Sequence, residues 1–159
     1  MNAGIAERHF SDLVISVTAY KDGIVKSYAK DECRFSLKNS VFLEGIAILG
    51  VYFKAETAPQ EEIKALTARY MERRKHLPKG RSMGCTFVNP AGISAGAIIE
   101  QCGLKGKRVG LARVSEEHAN FIINEGRSSE DIARLIEEVK AEVLMRTGIR
   151  LREEIRRIP

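Results

Sequence analysis

The run Leu13-Val14-Ile15-Ser16-Val17-Thr18-Ala19-Tyr20, followed by Lys21-Asp22-Gly23 and then Ile24-Val25-Lys26-Ser27-Tyr28, sets the architecture of the N-terminal part. Two β-rich segments flank a short polar turn, and its glycine tolerates positive φ, so the pattern predicts a β-hairpin. A third strand is predicted over Gly45-Ile46-Ala47-Ile48-Leu49-Gly50-Val51-Tyr52-Phe53, which is apolar along its whole length. Such a strand wants cover on both faces. The first 55 residues cannot supply all of it, so the cover is expected from the second half of the chain or from a partner. Strand edges left bare in such a sheet favour aggregation or pairing with another chain.

The pattern changes near Ala55 to Pro59. Thr57 and Gln60 have capping-box spacing, with Pro59 expected in the first turn, where its missing N–H costs little. Ile63, Leu66, Tyr70 and Met71 then form an apolar stripe to about Lys75. A short helix is predicted from Ser94 to Cys102, presenting Ile98, Ile99 and Cys102 and stopping at Gly103. Strands are predicted over Arg108 to Val114 and Ala119 to Asn124. The strongest helical pattern runs from Ser129 to Thr147, with Ile132, Leu135, Ile136, Val139 and Val143 on one face. Ser128 is its expected N-cap, and Gly148 stands where a left-handed terminator belongs. The fold class is therefore α+β, with a strand-rich part over residues 1–57 and a mixed helix and strand domain over 58–159. No internal repeat or low-complexity segment is visible.

The 159 residues, 44% of them hydrophobic, leave room for one sizeable domain or two small ones. Every apolar run is far shorter than the ~20 residues of a membrane-spanning helix. No charged start followed by an apolar stretch and a cleavage site opens the sequence, so a cytoplasmic location is expected. Cys33, Cys85 and Cys102 make an odd number with no CxxC pair, which argues against a disulfide framework or a zinc site. The net charge of +5 is mild. Arg73-Arg74-Lys75-His76, with Lys79 and Arg81, is the one basic cluster that suits nucleic acid, but cations in the last turn of a helix also answer its dipole.

Motifs alone give little chemistry. Gly103-Leu104-Lys105-Gly106-Lys107 lacks the P-loop pattern, and no GxGxxG follows a strand. His9, His76 and His118 are far apart and form no metal spacing. A lone histidine such as His118 is more often a structural hydrogen-bonding residue than a catalyst. Cys85, beside Gly84 and before Asn89-Pro90, lies in a turn-rich segment of the kind that often carries function. Taken alone, it reads equally as a structural residue.

Five segments change this reading: Ser82-Met83-Gly84-Cys85-Thr86-Phe87-Val88-Asn89-Pro90; Ser94-Ala95-Gly96; Gly103-Leu104-Lys105-Gly106; Ser115-Glu116-Glu117-His118-Ala119-Asn120-Phe121-Ile122-Ile123-Asn124; and Glu153-Glu154-Ile155-Arg156-Arg157-Ile158-Pro159. In this order and spacing the chain resembles the C-terminal half of the UDP-N-acetylenolpyruvoylglucosamine reductases, the MurB family. The resemblance implies the end of an antiparallel, flavin-contacting sheet domain, followed by a substrate-binding domain. It implies a peptidoglycan-synthesis reaction in which NADPH reduces FAD and the flavin delivers a hydride to the enolpyruvyl double bond of a UDP-sugar. A protein acid then protonates the adjacent carbon. In the family that acid is usually a serine within Gly-Ser-x-Phe-x-Asn-Pro; Cys85 stands in its place. A glutamate in a Glu-x-Arg-x-Ile ending assists it, matched here by Glu154. An arginine in Tyr-Arg-x-Ser faces the substrate; Lys38, within Leu37-Lys38-Asn39-Ser40, takes that position.

The resemblance further assigns Asn89, His118 and Arg73 to the substrate, the last as part of a basic rim, and Asn2, Gly4 and Gly84 to the flavin. Each departure from the family has a physical meaning. A thiol gives up a proton far more readily than an alcohol, its ordinary pKa being about 8.5. Lysine supplies charge but not the planar fork with which arginine holds a carboxylate. Met1-Asn2-Ala3-Gly4 matches an internal family segment, continued here by Ile5-Ala6-Glu7-Arg8 in place of Ala-Tyr-Gly and an acidic residue. The family's FAD-binding domain lies upstream of that point. The implied partners are therefore a UDP-sugar and either that missing domain or a second copy of the chain, with no metal and no membrane. A non-catalytic UDP-sugar-binding or interaction module is the alternative.

Overall fold

The computed structural model describes residues 2–5 and 8–157. Met1, Ala6 and Glu7 of the N-terminal match, and Ile158 and Pro159 of the C-terminal ending, lie outside the described residues. The chain forms two compact units, residues 1–64 and 65–159. It is an α+β protein whose sheets are antiparallel.

In the first unit a small ribbon pairs β1 (Gly4–Ile5) with β2 (Arg8–His9). A three-stranded sheet follows, built from β3 (Val14–Lys21), β4 (Ile24–Ala29) and β5 (Ala47–Phe53), with β3 in the centre. Lys21 pairs with Ile24, leaving Asp22 and Gly23 as a two-residue turn, both at positive φ. That is the hairpin geometry whose twist suits the flanking strands. Val14, Val17, Ala19 and Cys33 are buried beneath Tyr28, Phe35 and Phe42. The apolar β5 forms where expected, but Ile48, Leu49 and Tyr52 remain exposed.

Helix α1 (Gln60–Arg74) spans the division between the units. It starts later than the capping-box pattern predicted. The carbonyl of Pro59 accepts the first helical bond from Ile63 N–H at 3.2 Å, so Pro59 stands just outside the helix and Thr57 further out still. A proline ring disfavours helical backbone at the residue before it, which fits this boundary. The stripe of Ile63, Leu66 and Met71 is exposed, and no residue of α1 is buried.

The second unit carries a four-stranded sheet in the order β6-β9-β8-β7: β6 (Ser82–Cys85), β7 (Arg108–Val109), β8 (Ala112–Val114) and β9 (Phe121–Asn124). The single strand predicted over Arg108 to Val114 is instead a tight hairpin. Gly110 turns at φ 54°, and the Asp131 carboxylate accepts Leu111 N–H at 3.1 Å. That bond, then the Arg134 guanidinium, holds the Asp131 carboxyl below its usual range. The strand predicted from Ala119 begins only at Phe121, because Phe121 N–H closes a turn onto the His118 carbonyl. Helices α2 (Ala95–Gln101) and α3 (Ser129–Thr147) complete the unit. Ser94 and Ser128 cap them through their hydroxyls, accepting from Ala97 and Glu130 N–H, and Gly148 ends α3 at φ 72°. Leu135, Ile136, Val139 and Val143 of α3 are buried against Ile98, Ile99, Phe87 and Ile122 in one continuous core.

Candidate functional site

The expected irregular segment before Asn89 is partly a strand, with a defect at the interesting place. Ser82 pairs with Ile123 and Cys85 with Phe121, so three steps along β6 match two along β9. The surplus is taken up at Gly84, which has φ 79° and open space where a Cβ would stand. A bulge of this kind bends the strand and re-aims the next side chain; here that is the half-buried thiol of Cys85. The other two thiols are buried. Burial, and then the neighbouring Glu32, pushes the Cys33 thiol up.

Beyond Cys85 the chain runs between two other segments. Thr86 N–H donates to the Asn120 carbonyl at 2.7 Å on one side. On the other, Glu154 N–H donates to the Thr86 carbonyl at 2.8 Å, Val88 N–H donates to Arg152 O at 2.9 Å, and Phe87 forms a bridge with Glu153. This register brings Glu154 beside the residue that follows Cys85. The neighbouring Glu153 is committed elsewhere. Its carboxylate meets Lys140 and Arg157, each at 3.2 Å, in a network that also includes Glu137.

Asn89 and His118 converge on the start of α2. Asn89 Oδ1 accepts Ala95 N–H at 2.9 Å. A Cβ on Gly96 would stand 3.1 Å from His118 Cε1, so the glycine permits the imidazole to lie against the helix. His118 Nδ1 accepts from Asn120 N–H at 3.2 Å, which leaves the ring proton on Nε2 in the neutral form, and the ring packs 4.9 Å from Phe121.

Arg73 sits on the exposed last turn of α1, its guanidinium 6.0 Å from the Tyr70 ring. Lys38 belongs to the first unit, in an exposed turn closed by reciprocal bonds between Ser36 and Asn39, and has φ 56°. Asn2 and Gly4 also belong to that unit. Asn2 donates to Ser36 O and accepts from Ser11 N–H, and a Cβ on Gly4 would stand 2.7 Å from the His9 ring.

Two residues that sequence reasoning passed over shape the site. Asn120, 2% exposed, holds both main-chain groups of Phe87 with its carboxamide. Thr86 is fully buried, and among the described residues its hydroxyl has no hydrogen-bond partner. The signal for Asn120 was a polar residue heading the apolar run Phe121-Ile122-Ile123.

Flanking this region, a cleft of about 340 Å³ lies between α3 and the C-terminal segment, lined by Met83, Ile132, Ile136, Ile155 and Arg156 among others. Among the described residues, no cluster of histidine, cysteine and carboxylate suits a metal ion, and no helix is long and apolar enough to cross a membrane.

Residues 75–158 match the family model described as UDP-N-acetylenolpyruvoylglucosamine reductase, C-terminal domain. The UDP-N-acetylenolpyruvoylglucosamine reductase of Thermus thermophilus is 38% identical over 144 residues, which are 90% of this chain and 54% of that protein. The enzyme of the same name from Chlamydia muridarum is 38% identical over 165 residues, covering 100% of this chain and 54% of its own. The crystal structure of the reductase MurB from Thermus caldophilus superposes with a TM-score of 0.84 at 36% identity, over 97% of this chain and 56% of that one. The chain thus spans about half the length of the curated relatives it matches. With residues 75–158 matching that family model and relatives 38% identical over 90–100% of the chain, the chain belongs to the UDP-N-acetylenolpyruvoylglucosamine reductase (MurB) family.

Proposed function

We propose that this chain is the substrate-side half of a UDP-N-acetylenolpyruvoylglucosamine reductase, an oxidoreductase of peptidoglycan synthesis acting in the cytoplasm. Cys85 is its proton donor, Glu154 the partner of Cys85, and Lys38 an electrostatic stabiliser of the substrate's developing charge. Asn89, His118 and Arg73 contact the substrate. The observation that carries this reading is the strand register that sets Glu154 N–H on the Thr86 carbonyl, immediately after Cys85.

Reduction of the enolpyruvyl group adds a hydride to one carbon of the double bond and a proton to the other. When bound, FAD supplies the hydride, and NADPH supplies its electrons. The protein supplies the proton. The Cys85 S–H bond breaks, its proton joins the substrate carbon, and the thiolate is left to be reprotonated. The Glu154 carboxyl assists this exchange and stabilises the enolic form. Positioned proton transfer of this kind contributes about 10²–10⁴-fold in rate. Gly84 fits the close approach of a flat ring system, since its backbone face is open. Asn2 and Gly4, assigned to the same cofactor, are held within the first unit by the contacts already described. The flavin-binding half is required in addition, on the same polypeptide or as a separate chain.

Lys38 and Leu37, where the family has arginine and tyrosine, favour a second reading: a UDP-sugar-binding module without turnover. Calorimetric titration of the purified chain with UDP-N-acetylglucosamine enolpyruvate, recording flavin absorbance on the same sample, separates the readings. Sugar binding, followed by turnover once the flavin-binding half and NADPH are supplied, supports the reductase. Sugar binding without turnover in that mixture leaves the module. No sugar binding under any condition refutes both.

A further inference from the structure

The pairing of β6 with β9 ends at Cys85 and Phe121, since β9 gives way to the turn at His118 to Phe121. The next residue to need partners on that side is Phe87, which is 2% exposed. Its main-chain groups find no strand there. The buried Asn120 carboxamide serves in its place: Oδ1 accepts Phe87 N–H at 2.8 Å, and Nδ2 donates to the Phe87 carbonyl at 2.8 Å. Asn120 also takes Thr86 N–H on its own carbonyl at 2.7 Å. One residue thereby fixes the main chain of two consecutive residues, Thr86 and Phe87, directly after Cys85. On the opposite edge, the same two residues and Val88 hold the C-terminal segment from Arg152 to Glu154.

We infer that Asn120 is a positioning residue whose carboxamide clamp on Phe87 sets where Glu154 stands relative to Cys85. The inference rests on the pairing of Cys85 with Glu154 in the proposed function. A buried amide whose two bonds are both satisfied specifies one arrangement, whereas its loss leaves a buried donor and a buried acceptor seeking new partners. The easiest response is a shift of Thr86 to Val88, and the C-terminal segment moves with it.

The test follows the rate at which iodoacetamide modifies Cys85 in the full chain at pH 8, read by peptide mass spectrometry so that Cys33 and Cys102 do not interfere. The variants are Glu154→Gln, Asn120→Ala and the double substitution, each with a thermal melt; Asn120→Ser, whose hydroxyl keeps one of the two bonds, replaces Asn120→Ala if that variant does not fold. A carboxylate beside a thiol disfavours the reactive thiolate, so Glu154→Gln raises the rate roughly 3–10-fold. The expected result is that Asn120→Ala raises it by a similar factor and that the double variant is no faster than Glu154→Gln alone. A purely structural Asn120 would loosen the site whatever residue 154 is, and the two factors would multiply. That outcome, or a wild-type rate in Asn120→Ala alongside a raised rate in Glu154→Gln, overturns the inference and leaves the Cys85–Glu154 pairing standing. An unchanged rate in Glu154→Gln sinks the pairing and the inference together.

Discussion

Glu154 N–H donates to the carbonyl of Thr86 at 2.8 Å, so the end of the chain is stitched to the residue immediately after Cys85. If this stitch serves proton donation, removing the thiol must harm chemistry more than binding. Cys85→Ala in the enzyme reconstituted with the flavin-binding half is expected to lower turnover by about 10²–10⁴. The affinity for the UDP-sugar should change little, because the thiol contributes late in the reaction. Cys85→Ser, which restores the residue usual in the family, should recover most of the rate. Steady-state turnover and calorimetric binding measured together decide this, and full activity in Cys85→Ala would remove Cys85 from the proton-donating role.

The bulge at Gly84 supplies a second prediction. Its φ of 79° lies in the left-handed region, and a Cβ there would meet nothing within 4 Å. The cost of Gly84→Ala is therefore backbone strain alone, roughly 1–2 kcal/mol. A melting temperature lower by several degrees is expected, with sugar binding retained at temperatures where the variant is folded. A variant as stable as the wild type would mean that residue 84 relaxes out of the left-handed region and that the bulge is not what aims Cys85.

Much of the architecture was legible because its signals are local. Lys21-Asp22-Gly23 announces a hairpin by itself, and Ser128, the stripe from Leu135 to Val143, and Gly148 announce α3 by period and caps. Several of the misses depended on a tertiary partner. The break in Arg108 to Val114 is held by Asp131 from a helix later in the chain. The exposed faces of α1 and β5 look, in sequence, like any faces that a core would cover. At the site, Cys85 and Glu154 stood out only through family resemblance. Asn120 was missed because its one signal, a polar residue heading the apolar run Phe121-Ile122-Ile123, fits an asparagine in a turn equally well.

The network behind Glu153 makes stability depend on pH at both ends. Hydrogen bonding to Lys140, with Arg157 adding to it, holds the Glu137 carboxyl below its usual value near 4.5. Such a group stabilises the fold above its ordinary pKa, and that contribution is lost as pH falls through its depressed one. The Lys140 ammonium is raised above its usual value near 10.5, first by its hydrogen bond to Glu137 and further by Glu153. Its contribution is present below the ordinary value and is lost as pH climbs through the raised one. The wild type should therefore exceed Lys140→Met in stability across the neutral range, by less than about 1 kcal/mol for pairs this exposed. The gap should close as pH falls below the ordinary carboxyl value near 4.5 through the depressed one, and as it climbs past 10.5 through the raised ammonium value. Urea midpoints for the two proteins from acid to alkali test the point, and a gap that persists at pH 2 would assign the effect to packing of the lysine stem.

The exposed sheet of the first unit carries the last prediction. β5 lies at an edge of its sheet, with no strand paired to its outer side among the described residues, and Ile48, Leu49 and Tyr52 are 52%, 60% and 65% exposed. An edge strand this apolar and without inward charge is a template for pairing with another chain. The curated relatives carry nearly as much polypeptide again as the part matched here, and the flavin-binding half that the proposed function requires is the expected occupant of this face. Leu49→Lys places a charge on the face while leaving every described main-chain bond of β5 intact. It is expected to reduce self-association of the isolated chain in sedimentation velocity and to weaken reconstitution with the flavin-binding half by at least tenfold. Reconstitution unaffected by Leu49→Lys would mean that the partner docks elsewhere. Self-association unaffected as well would show that this strand, for all its apolar character, remains solvated.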